Sequence, residues 1–226
     1  RADTMPTEKT TAGTPDPASK KVGLRDIAQG ALQAIPDLIT LNRGLFGLAA
    51  LKPDSEMSIG RVLERWARNA PDRIAVRFDD QTWTYAQFNS WVNRLAASFA
   101  ARGLGSGETV AILAENSPTQ LACIAAAVKL GAVAGLLNHN QRGEVLSHSI
   151  GLVKPQIIVI SGECREAIDS TSCTPAQAPV MTHFWLGGDD KLPAPEGYID
   201  LARDSGRKRS INPESTRKVR ASQPCF

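Results

Sequence analysis

The cysteines are few and show no paired spacing. Cys123, Cys164, Cys173 and Cys225 lie scattered, with no C-x-x-C among them, so neither a zinc ribbon nor a dithiol redox motif is present. Cys123 sits inside the apolar run LACIAAAVKL, which suits a buried free thiol in a reducing compartment. Neither charge sign dominates: 26 Lys and Arg against 23 Asp and Glu give a net charge of +3, too mild to argue for nucleic acid as a partner. The basic runs Arg207-Lys208-Arg209 and Arg217-Lys218 stand among Ser, Asn, Pro and Gly and read as solvated loop. No stretch reaches the roughly 18 apolar residues of a membrane span.

Reactive motifs are missing as well. There is no G-x-S-x-G elbow and no G-x-x-x-x-G-K-[ST] phosphate loop. GLGSGE at 103–108 follows a helix pattern and precedes a strand, the reverse of a dinucleotide fingerprint, so it is a turn. Of the three histidines, only His148 has a partner at helical spacing, Glu144. Two groups without a third ligand make an i,i+4 surface contact rather than a metal site. The sequence thus offers no nucleophile, no acid–base pair and no metal centre.

What it does have is enough apolar content, 42%, to bury a core, unevenly distributed. Residues 1–21 are Thr, Pro, Ala and Lys with almost nothing apolar, and the expectation is a disordered leader. Its three acidic residues count against a transit peptide. Over 22–51, Leu24, Ile27, Ala28, Ala31, Leu32 and Ile35 recur at helical spacing before Pro36. This predicts one or two amphipathic helices. They either pack on the domain surface or lie shallowly in a membrane interface, with Lys20, Lys21, Arg25 and Arg43 near anionic headgroups.

The folded core opens at Ser58, which can cap a helix with Ile59, Val62, Leu63 and Trp66 on one face. IAVRFDDQTWTY alternates around Asp79-Asp80, a hairpin pattern. Thr84 and Gln87 match a capping box for a long helix that Gly103 stops. A strand–helix repeat follows: TVAILA, a helix opened by Ser117-Pro118 and closed by Gly131, AVAGLLN, RGEVLSHSIGLV and QIIVI. The strands lack strict alternation, as expected for a parallel sheet with helices on both faces. THFWLGG is a candidate fourth strand, and 163–224 is otherwise poorly defined and loop-rich.

In open parallel sheets, ligands collect at the carboxyl ends of the strands. Those ends are Glu115-Asn116 and Asn138-His139-Asn140, which makes Asn116, Asn138, His139 and Asn140 the substrate-channel candidates. The competing reading is that these residues serve turns and helix starts.

The stretch from TWTYAQF through RGLGSGETVAI, ENSP and AVKLGAVAGLLN resembles the N-terminal region of adenylate-forming enzymes. LLNHNQRGEVLSHSI is similar to the fatty-acid-transport-protein branch of long- and very-long-chain acyl-CoA synthetases, actinobacterial members above all. The resemblance runs from about Ser58 to Ile160 and resumes near INPESTRKVRASQPCF. It implies an α/β fold in which 52–226 is an incomplete N-terminal subdomain, cut just before a phosphate-binding loop. The whole enzyme would use ATP, Mg²⁺ and CoA to make a fatty acid into its CoA ester. No catalytic residue carries over, so this chain is expected to be inactive scaffold that binds none of these cofactors tightly. The implied location is cytoplasmic, with peripheral contact at the inner membrane face through 22–51. Two alternatives stand beside it: a non-catalytic α/β binding module, and an adenylate-forming enzyme for another carboxylic acid.

Overall fold

The computed structural model describes residues 52–187 and 193–225; the leader at 1–21 and the amphipathic segment at 22–51 lie outside them. Helix α1 (Ile59–Asn69) begins where the Ser58 hydroxyl accepts from the Arg61 amide, a cap contributing about 1 kcal/mol. Strands β1 (Ile74–Phe78) and β2 (Gln81–Thr84) form the hairpin around Asp79-Asp80. Helix α2 (Tyr85–Ala100) carries the full capping box: Thr84 accepts from the Gln87 amide, and the Gln87 side chain accepts from the Thr84 amide.

From there strands and helices alternate. They are β3 (Thr109–Leu113), α3 (Pro118–Leu130), β4 (Val133–Leu136), α4 (Gly143–Val153) and β5 (Ile157–Ser161). Next come a 3-10 turn, α5 (Arg165–Asp169) and β6 (Thr182–Leu186). Strand β7 (Ile199–Asp200), α6 (Leu201–Gly206) and a 3-10 turn at Glu214–Arg217 complete the order. Ser117 caps α3, with Pro118 at its first position. Gly131 ends α3 at φ +74°, a left-handed backbone that a residue with a Cβ adopts only under strain.

The five strands β3 to β7 pair in the order β4-β3-β5-β6-β7, every pair parallel. Successive residues of each strand point to opposite faces, and both faces are buried. Val110, Ile112, Ile157, Val159 and Phe184 meet α2 and α3 on one side. Ala111, Leu113, Ile158, Ile160 and Trp185 meet α4 and α5 on the other. That double burial is why these strands read as unbroken apolar runs. Strand β4 is one of the two outer strands, with β7 at the other edge, and its Ala134 amide donates to the Cys225 carbonyl, 3.0 Å away.

One polar cluster is buried within this frame. Lys129, near the end of α3, is 0% exposed. Its Nζ donates to Asn89 Oδ1 (2.6 Å) and Asn93 Oδ1 (2.7 Å) on α2, and to Asn212 Oδ1 (3.0 Å). Glu64 Oε1 of α1 lies 3.2 Å from the same nitrogen. The hydroxyls of Ser215 and Thr216 donate to the Lys129 carbonyl. Gly60 lets α1 approach: a Cβ there would lie 2.9 Å from Lys129 Cγ. Lys129 therefore fastens three helices and the 212–216 turn at one point. Burial pulls its amine down to about 8, with Glu64 pulling the other way.

Candidate functional site

The strand order selects the place. Chain order reverses between β3 and β5, because the connection from β4 passes back across β3 to reach β5. At such a switch point the loops leaving the two strands diverge and open a crevice at their carboxyl ends. A cleft of about 460 Å³ lies there. Glu115, Asn116 and Ser117 line it from the end of β3, and Ser161 and Glu163 from the end of β5. Phe78, Trp91, Leu95, Leu186 and Leu201 form its apolar side.

Of the four residues expected from sequence, Asn116 lines this cleft and the other three do not. Asn138, His139 and Asn140 follow β4 on the outside of the sheet. The Asn138 side chain accepts from the Asn140 amide, and the His139 carbonyl accepts from Arg142. Both contacts hold a local turn. Ser161, Glu163, Leu186 and Leu201 come from elements whose place in the sheet no local pattern reveals.

The chemistry available in the cleft is that of a container. Ser117 is committed to capping α3, where its hydroxyl accepts from the Gln120 amide. The Ser161 hydroxyl donates to Cys164 Sγ. Burial pushes the Cys164 thiol up, and Cys123 up to about 12, so both stay protonated and poorly nucleophilic at neutral pH. Among the described residues no group of three His, Cys, Asp or Glu could hold a metal ion. The cleft pairs one apolar wall with one polar rim, which suits a ligand with an apolar body and a polar end.

A parallel sheet flanked by helices, with its crevice at the strand ends, is the fold of the N-terminal domain of adenylate-forming enzymes. The N-terminal domain of FACL13 from Mycobacterium tuberculosis superposes with TM-score 0.59 at 26% identity, covering 70% of this chain and 38% of that one. A fatty acyl CoA synthetase from the same organism gives TM-score 0.59 at 25% identity, covering 73% and 31%. The sequence pattern of the AMP-binding enzyme family matches residues 63–225, and the chain belongs to that family. It is 38% identical over 151 residues to the medium/long-chain-fatty-acid–CoA ligase FadD6 of Mycobacterium tuberculosis, covering 67% of this chain and 25% of that protein. Long-chain fatty acid transport protein 1 of Rattus norvegicus is 30% identical over 144 residues, covering 59% and 22%. The chain thus spans about a quarter of the length of these curated relatives.

Proposed function

We propose that these residues are part of a fatty-acid–CoA ligase. In that reaction a fatty-acid carboxylate attacks the α-phosphate of ATP, giving the acyl-adenylate and pyrophosphate. The CoA thiol then takes the acyl group and AMP leaves. The observation that carries the reading is the 38% identity over 151 residues to a protein named for medium- and long-chain fatty acids. The part of these residues is support. The parallel sheet and its helices hold the strand-end cleft, whose apolar wall of Trp91, Leu95, Leu186 and Leu201 suits one side of an acyl chain. No described residue is assigned to ATP, CoA or Mg²⁺. Residues 22–51 give the ligase its peripheral contact with the inner membrane face, with the catalytic body in the cytoplasm. Among the described residues no helix is long and apolar enough to cross a membrane.

The test is a substrate panel on a longer polypeptide that carries these residues together with the remaining length of the relatives. With ATP, Mg²⁺ and CoA, medium- and long-chain fatty acids should drive pyrophosphate release and acyl-CoA formation. Turnover confined to aryl or amino acids would move the protein to another branch of the family. A protein silent with every acid would leave the binding-module alternative standing.

A further inference from the structure

Apart from the strand-end cleft, the feature with the most unspent charge lies on the solvent face of α1. Arg61, Arg65 and Arg68 follow one another at spacings of four and three residues, so their side chains share one side of the helix. The 3-10 turn brings Arg217 to the same place, and the four guanidiniums line one cleft of about 280 Å³. The carboxylates beside them are already engaged. Glu56 pairs with Arg61 and with Arg220, and Glu64 faces the buried Lys129 ammonium. Among the described residues Arg65, Arg68 and Arg217 have no ion-pair partner.

The supports of this cluster are rigid. Helix α1 is pinned through Gly60 and Glu64 to Lys129, and Arg217 follows the Ser215 and Thr216 hydroxyls anchored on the Lys129 carbonyl. Like charges held together on fixed elements repel one another, and a multiply charged anion offsets that repulsion. The planar fork of each guanidinium matches the oxygens of a phosphate. The geometry points to a phosphate-binding site at Arg61, Arg65, Arg68 and Arg217, for a ligand carrying a phosphomonoester or diphosphate group. The site lies on a different part of the surface from the strand-end cleft and needs nothing from the ligase reading.

The experiment uses the 226-residue chain at low ionic strength, where surface charges are screened least. Inorganic pyrophosphate is the soluble probe, followed by calorimetry and thermal shift. Vesicles containing phosphatidic acid, whose headgroup is a phosphomonoester, with zwitterionic phosphatidylcholine vesicles as the comparison without net charge, are the membrane probe, followed by co-sedimentation. Saturable one-to-one binding of pyrophosphate is expected, weakened about tenfold or more in Arg65→Gln/Arg68→Gln/Arg217→Gln. Arg203→Gln/Arg207→Gln/Arg209→Gln removes the same charge elsewhere and should bind like the parent. An unchanged melting temperature without ligand shows that both variants fold. Binding to phosphatidic acid vesicles alone, lost in the first variant only, names a lipid headgroup as the source of the phosphate. Equal loss in both variants means general charge attraction and overturns the site, as does the absence of saturable binding to either probe.

Discussion

Replacing Lys129 with Met should lower the unfolding free energy by about 3–5 kcal/mol, the cost of removing one partner from a buried ion pair. The methylene stem has an equivalent in Met, so packing changes little. The ammonium does not. The amide oxygens of Asn89 and Asn93 lose the ammonium donor, that of Asn212 keeps only the Asn89 and Asn93 side-chain amides, and Glu64 becomes an uncompensated charge with 10% of its side chain exposed. For a domain of this size the loss corresponds to a fall in Tm on the order of 10 °C. Adding Glu64→Gln to Lys129→Met should recover part of the loss, because the stranded charge goes with it. The pH dependence has a fixed sign. The folded amine titrates near 8 against an ordinary 10.5. Between those values the unfolded chain holds a proton that the folded chain has shed, so folding gains as pH rises. The stability gap between the parent and Lys129→Met should therefore widen from pH 8 to 10.5 and stay flat below 8. A gap that narrows over that range would mean that the folded amine keeps its proton longer than the unfolded one.

The second large effect is expected at Phe99. It is 0% exposed, on the face of α2 that meets the sheet, with its ring 5.7 Å from that of Phe184 on β6. Phe99→Ala removes the ring and leaves a cavity between the helix layer and a central strand, at about 3–5 kcal/mol. Phe99→Leu keeps most of the volume and should cost less than half as much. Leu152→Ala, at a position 69% exposed, should stay within about 0.5 kcal/mol. Urea titration of the three variants, with m-values compared, separates these outcomes. Similar losses for Phe99→Ala and Leu152→Ala would mean that α2 does not pack on the sheet as described.

Local chemistry was legible where a few adjacent residues carry the whole signal. The capping box of Thr84 and Gln87, the Ser117-Pro118 start and the Gly131 stop each lie within a few residues, and each stands in the structure as expected. The buried strands were legible through their apolar runs. Strand order was not, because pairing β3 with β5 rather than leaving it beside β4 alone is decided by crossovers and packing. That is why the ends of β3 and β4 looked equivalent as site candidates, although only the first opens on the cleft. The Lys129 cluster was hidden for a similar reason. Its partners lie 36 to 83 residues away, and a lone lysine in an alanine-rich helix carries no mark of burial. Strand β7 and α6, two and six residues long, are too short to show a period.

On the proposed reading these residues support acyl activation without performing it. The direct measurement is fatty-acid-dependent pyrophosphate release by the pure 226-residue chain, given ATP, Mg²⁺, CoA and a long-chain fatty acid. No release above the protein-free reaction is expected; anion binding at the α1 arginines would need no fatty acid and yield no pyrophosphate. Release that rises with fatty-acid concentration from this chain alone would contradict that reading.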